Sequence, residues 1–149
     1  MNTNNEIQER DPSLKALIVL SRTQHAVEEK IKEDIKTYGL NPTEFGVLEL
    51  LYHKGRQPIQ RIGEKILLSS GSITYVVDKL ETKNYLIRKP CPKDRRVTYT
   101  EITKEGTELM DKIFPAHKKV IQEIFSTLDQ KEKELLINLL KRVGLPLRP

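Results

Sequence analysis

Hydrophobic residues recur at helical spacing along most of the chain, beginning with a long first helix. We expect this helix to open at Asp11, Pro12 and Ser13, with Asp11 as the cap and Pro12 at the first position, and to end near Tyr38 and Gly39. Its apolar positions follow the spacing of one helix face and are Leu14, Leu17, Ile18, Val27, Ile31 and Ile35. Residues 16–20 are apolar almost all round, so this helix needs partners on more than one side.

The next two helices are predicted from their end signals. Asn41 is a cap, Pro42 suits the first position, and Glu44 stands where its carboxylate reaches back to the cap N–H; Gly55 ends this helix. Its expected buried stripe is Phe45, Leu48, Leu51 and Tyr52. Pro58 begins a shorter helix, which residues 67–70 connect to the helix that follows.

That following helix is amphipathic and completes a helix-turn-helix pattern. Ser69 or Ser70 is the expected cap. The apolar face consists of Ile73, Val76, Val77 and Leu80, and the polar face of Ser72, Thr74, Tyr75, Asp78 and Lys79.

After Asn84 the hydrophobic period changes from helical to alternating. Residues 85–88 and 97–103 predict two strands, the second rich in β-branched side chains. Residues 89–96 contain two prolines, so we expect them to form the tip of a basic hairpin and not to continue a ladder. Thr103 then caps a helix over 104–127, which Pro115 should kink. A capping box at residues 128–132 begins the last helix, which ends at Gly144.

Positive charge is concentrated in one part of the chain. The 149 residues fit a single domain (1–149) and carry a net charge of +5. Residues 56–103 contain ten basic and five acidic side chains, so the rest of the chain is neutral. A neutral scaffold with one basic segment is typical of a protein that binds a polyanion, although a solvated basic face gives the same count.

The residues give no support to an enzyme. We find no glycine-rich phosphate loop, nucleophile motif or metal-ligand spacing, so we expect no catalytic residues, no cofactor and no metal. The histidines His25, His53 and His117 stand alone in sequence. The single cysteine, Cys91, permits no internal disulfide, and neither a signal peptide nor a membrane-spanning run is evident. We therefore expect a cytoplasmic protein.

Nucleic-acid binding fits both the charge and the pattern. Small hydroxyl side chains and a tyrosine on the exposed helix face suit the major groove of double-stranded DNA. The helix start at Ser69 and Ser70 directs backbone N–H groups at phosphate. In the hairpin, Asp94 can hold the guanidinium of Arg96 and aim it into a narrow minor groove.

These residues resemble the MarR family of bacterial transcription regulators. The resemblance rests on L-N-P-T-E-F-G-V-L, L-S-S-G-S-I-T-Y-V-V-D-K-L-E, L-I-R, D-R-R and I-T-K-E-G, in that order. It implies a mainly α winged-helix homodimer, with a DNA-binding lobe at 40–106 and dimerisation helices at 11–38 and 104–146. It also implies a palindromic operator and repression that a small molecule or thiol oxidation relieves.

The candidate DNA-binding set combines the start and the exposed face of the helix after residue 69 with the basic hairpin of residues 85–103, which is the wing of a winged helix. Its members are Ser69, Ser70, Gly71, Ser72, Thr74, Tyr75, Lys79, Lys93, Asp94, Arg95 and Arg96. Many family members have arginine where this chain has Tyr75, so a guanine contact from that position is not available here.

Two routes of release remain open. Cys91 lies between two prolines and near cations that favour its thiolate, although an incidental exposed cysteine fits the same residues. Alternatively, Leu17, Phe45, Glu49 and His117 line a pocket for a phenol, catechol or quinone, as the chain resembles the quinone- and catechol-responsive subgroup. Ordinary interhelical packing explains these four residues equally well. A non-specific architectural DNA binder and a helical protein-interaction adaptor are the remaining alternatives, and the sequence does not separate a repressor from an activator.

Overall fold

The computed structural model describes residues 11–66 and 70–149, with side chains at all of these except 70 and 71. Its elements are α1 (Ser13–Lys36), α2 (Pro42–Lys54), β1 (Gln57–Pro58), α3 (Ile59–Lys65), α4 (Ser70–Thr82), β2 (Leu86–Pro90), β3 (Thr98–Ile102), α5 (Lys104–Ile124), α6 (Gln130–Gly144) and a 3₁₀ helix (Leu145–Leu147). The mainly α architecture with a small antiparallel sheet confirms the predicted fold class.

The starts of α2 and α6 follow the predicted caps. The Asn41 side chain accepts the Glu44 N–H at 2.8 Å, and the Glu44 carboxylate accepts the Asn41 N–H at 3.2 Å. Asp129 and Glu132 form the same reciprocal pair before α6. The predicted cap of α1 is wrong: the helix begins at Ser13, so Pro12 takes the cap position without a side-chain bond, and Asp11 accepts the Ser13 N–H at 3.0 Å from one residue further out. Local side-chain chemistry therefore defines where α2 and α6 begin.

Helix α5 begins at its predicted cap but ends earlier than predicted. Thr103 accepts the Gly106 N–H at 3.0 Å, so the predicted cap of α5 is confirmed. The helix continues past Pro115 and ends at Ile124, three residues before the predicted end. Beyond it, the Ser126 N–H and the Ser126 hydroxyl both donate to the Glu123 carbonyl, at 3.1 and 2.7 Å.

The sheet corrects two expectations about the hairpin. Its order is β1-β3-β2, and β1 pairs with Tyr99 and Thr100, although no strand was predicted there. Residues 89 and 90 continue β2 instead of belonging to the hairpin tip. Cys91 donates its N–H to the Val97 carbonyl at 2.9 Å, so by alternation the Pro90 nitrogen faces the outer edge of β2. A proline there removes no ladder bond.

The hydrophobic core lies in the middle of the chain. Its buried side chains are Ile35, Leu40, Phe45, Val47, Leu48, Leu51, Ile62, Ile73, Val76, Val77, Leu80, Leu86, Met110 and Ile113. By contrast, α1 buries only Ile35 and α6 buries no residue. Within the described ranges, no helix is long and apolar enough to cross a membrane. The molecule is therefore a packed central lobe with two helical ends that leave apolar side chains uncovered.

Candidate nucleic-acid interface

Helix α4 presents one polar face to solvent. Its apolar residues Ile73, Val76, Val77 and Leu80 are buried, as predicted. The side chains of Ser72, Thr74, Tyr75, Asp78 and Lys79 are exposed. Ser70 and Gly71 begin the helix, but their side chains, and all of Ser69, lie outside the described residues. The described part of α4 thus has the amphipathic form that a helix needs to pack on a lobe and enter a groove.

The turn between β2 and β3 carries the predicted arginine and its carboxylate. Asp94 accepts the Arg96 N–H at 3.0 Å, and its Oδ1 also lies 3.2 Å from the Arg96 Nε. The Arg96 side chain is 91% exposed, so the pair directs the guanidinium away from the lobe. Lys93 and Arg95 are exposed in the same turn. The hairpin therefore ends in several cations, one of which has a fixed direction.

Two other cations of the basic segment are paired with carboxylates. Lys83 lies 2.8 Å from Glu44, and Lys89 lies 3.0 Å from Glu101. Burial raises the pKa of Glu44, but the hydrogen bonds from Lys83 and from the Asn41 N–H lower it more, so its pKa lies below the ordinary value. The first pair joins α2 to Lys83, the residue directly after α4, and the second joins β2 to β3. Counting charges along the sequence did not reveal them.

The four predicted ligand-binding residues do not come together in the single chain. The Phe45 and His117 rings lie 4.5 Å apart, and both residues are buried. Glu49 instead lines a separate surface cavity of about 320 Å³ with Lys65. Leu17 is 60% exposed on α1. The expected four-residue pocket is thus reduced to one aromatic contact between α2 and α5.

A carboxylate that sequence reasoning missed joins this contact. Asp34 Oδ2 lies 2.8 Å from His117 Nδ1, and its Oδ1 accepts the Tyr38 hydroxyl at 2.7 Å. Burial, and then the hydrogen bond and charge of Asp34, raise the pKa of Tyr38 to about 12. The Asp34–His117 pair spans 83 residues, so no local pattern announces it. Together with the contact between Phe45 and His117, it connects α1, α2 and α5.

Two further candidates for chemistry are the thiol of Cys91 and a metal site. Cys91 is a half-buried free cysteine at the start of the wing turn. Among the described side chains, no cluster of three or more His, Cys, Asp or Glu residues is arranged to hold a metal ion.

An amphipathic helix followed by an antiparallel hairpin with a directed arginine defines a winged-helix DNA-binding protein. Residues 40–98 match the MarR family profile. The chain is also 57% identical to the HTH-type transcriptional regulator MhqR of Bacillus subtilis over 135 residues, which cover 91% of this chain and 93% of that protein. The chain therefore belongs to the MarR family of transcriptional regulators.

Solved structures share the fold. AbsC, a MarR family transcriptional regulator from Streptomyces coelicolor, has a TM-score of 0.85 and 21% identity, over 93% of this chain and 95% of AbsC. Sco3205, a MarR family regulator from the same organism solved in complex with DNA, has a TM-score of 0.84 and 18% identity, over 91% of each chain. At these identities the similarity establishes the architecture of the chain.

Proposed function

We propose that this protein is a repressor that binds a palindromic operator as a homodimer. Helix α4 enters the major groove and the β2–β3 turn follows the adjacent minor groove. The observation that carries the proposal is the exposed Arg96 guanidinium held by Asp94, in a chain whose helix α4 also exposes a polar face. An arginine with a fixed direction suits the strong negative potential of a narrow minor groove.

Base recognition in the major groove falls mainly to Tyr75. Its side chain is 66% exposed on α4, and an aromatic ring can pack against the thymine methyl group. Lys79, one turn further along the same face, supplies charge toward phosphate. Tyr75 therefore contacts bases, while Lys79 positions the protein on the phosphate backbone.

The two helical ends support a homodimer. They leave large apolar side chains exposed, on α1 at Leu14, Leu17, Ile18, Val19 and Leu20, and near the C-terminus at Leu135, Ile137, Leu139, Leu140, Val143, Leu145 and Leu147. Exposed apolar side chains in such number are typical of an interaction site. In a two-fold dimer the same surfaces cover one another, and the two lobes meet half-sites about 10 bp apart.

The direct test compares the affinity of the purified protein for the DNA upstream of its own gene with that for scrambled DNA of equal length, at two salt concentrations. We expect a preference for the first that persists at the higher salt, and a dimer by sedimentation. Equal binding to both DNAs that is lost at higher salt would favour the architectural alternative. Absence of binding would favour the protein-interaction adaptor.

A matched pair of variants tests the wing. Arg96→Ala should weaken operator binding about tenfold or more, because it removes the directed guanidinium. Lys119→Ala removes the same charge from an exposed position on α5 and should leave the affinity unchanged. The thermal unfolding and sedimentation of both variants should match those of the wild type. Equal affinities of the two variants for the operator would overturn the wing assignment.

We propose that a small phenolic or quinone-type molecule releases the repressor at the contact between Phe45 and His117. The aromatic ring supplies a stacking face, and the Tyr38–Asp34–His117 chain supplies hydrogen-bonding groups for ring oxygens. Phe45→Leu should abolish release by catechol or benzoquinone but leave operator binding intact. Cys91→Ser serves as the comparison: loss of release in this variant alone would favour oxidation of the thiol.

A further inference from the structure

Arg88 lies in β2, and its side chain turns back onto helix α4. Its Nη2 bonds to Asp78 and lies 3.3 Å from Glu81 Oε1, while its Nε lies 3.4 Å from Glu81 Oε2. The side chain is 29% exposed. The hydrogen bonds that Arg88 donates, first to Glu81 and then to Asp78, raise the pKa of Arg88. This guanidinium is therefore committed to two carboxylates of the proposed recognition helix.

A side chain of α4 also binds the backbone of β2. Glu81 Oε2 accepts the backbone N–H of Arg88 at 3.0 Å. Among the described residues β2 is an edge strand, and by the alternation of the ladder this N–H faces away from β3, on the side where no described strand pairs with it. Glu81 thus binds the strand backbone while Arg88 binds the helix side chains. The two contacts hold the angle between α4 and the wing from both sides.

The position of Asp78 explains why this angle bears on DNA. Asp78 lies one turn beyond Thr74 and Tyr75 on the exposed face of α4, where a free carboxylate repels phosphate. Arg88 neutralises it and draws it toward the wing. Lysine cannot replace arginine here, because one ammonium group lacks the planar fork that bridges two carboxylates.

We propose that Arg88 is a positioning residue for operator recognition, which holds α4 and the wing in register and does not itself bind phosphate. This inference rests on the proposed function. It makes a prediction opposite to that of charge counting, in which every cation of the basic segment strengthens DNA binding. Arg88 should contribute to discrimination between sequences and little to binding of DNA in general.

The experiment measures affinity for operator and for scrambled DNA, over a range of salt, in the wild type and in three variants. Arg88→Lys keeps the charge, Arg88→Gln removes it, and Glu81→Gln makes the lobe more positive. We expect each variant to lose at least tenfold in affinity for the operator. Affinity for scrambled DNA should stay within about twofold for Arg88→Gln, with an unchanged slope of log K against log salt.

A phosphate contact from Arg88 gives a different pattern. Arg88→Gln would then weaken both DNAs equally and reduce the salt slope by about one, while Arg88→Lys and Glu81→Gln would keep or improve binding. That pattern, or unchanged operator affinity in all three variants, overturns the inference. If the wild type itself shows no preference for the operator, the proposed function has failed, which is a distinct result. Thermal unfolding shows which variants are folded, and Glu81→Gln leaves the arginine in place should the Arg88 variants unfold.

Discussion

Gly106 offers a sharp test of how the wing is joined to the long helix α5. It stands in the first turn of α5, and its N–H donates to Thr103 Oγ1 at 3.0 Å. A Cβ added at this position would lie 2.1 Å from the Tyr85 carbonyl oxygen and 2.7 Å from Ile102 Cγ1. An ordinary contact of a carbon with an oxygen is more than 1 Å longer. Gly106→Ala must therefore push the start of α5 away from the sheet.

The magnitude follows from what this displacement disturbs. The Thr103 N–H donates to the same Tyr85 oxygen at 3.0 Å, so that bond weakens together with the Thr103 cap. Overpacking costs about 1–3 kcal/mol, a lost cap about 1 kcal/mol and a lost hydrogen bond about 1 kcal/mol. Alanine recovers up to about 1 kcal/mol through its helix propensity. We expect Gly106→Ala to lower the free energy of unfolding by about 3 kcal/mol.

Urea denaturation measures this change, and Gly144→Ala is the matched control. Gly144 has helical backbone angles, φ −84° and ψ −37°, and nothing lies within 4 Å of an added Cβ. The same substitution there should stabilise the protein by up to about 1 kcal/mol. If the free energy of unfolding of Gly106→Ala lies within about 0.5 kcal/mol of the wild-type value, the close approach of α5 to Tyr85 is wrong.

Three further substitutions test the lobe and the last helix by urea denaturation. Thr100→Val should stabilise the protein by up to about 1 kcal/mol, because the buried Thr100 hydroxyl oxygen has no hydrogen-bond partner among the described residues; a loss of stability would contradict this. Glu44→Gln should lower the free energy of unfolding at pH 7. Because the folded pKa of Glu44 is lowered, the difference in unfolding free energy from the wild type should shrink as the pH falls below about 4.5 through the folded pKa. A pH-independent difference would exclude the ion pair with Lys83 as its cause. Asp129→Ala should cost about 1 kcal/mol through loss of the capping box with Glu132, and an unchanged midpoint would mean that α6 does not depend on it.

Helix starts could be predicted from the sequence because their causes are local. The pairs Asn41 with Glu44 and Asp129 with Glu132 each span three residues, so the pattern alone contains both partners. Strand β1 was missed because two residues, one of them proline, carry no alternation, and its pairing with β3 joins positions about 40 residues apart. Pro90 was misjudged because only the ladder shows which edge its nitrogen faces.

In the folded chain, most acidic side chains of the basic segment (residues 56–103) are paired with cations. Four of its five acidic side chains are engaged in ion pairs within the lobe or the wing: Asp78 and Glu81 with Arg88, Asp94 with Arg96, and Glu101 with Lys89. The cations without an ion pair to any described residue include Arg61, Lys65, Lys79, Lys93 and Arg95. Folding therefore leaves the net charge unchanged but separates its parts. Three of these acids are held by Arg88 and Lys89, and Asp94 orients Arg96. The cations without an ion pair are exposed, a distribution that attracts a phosphate backbone.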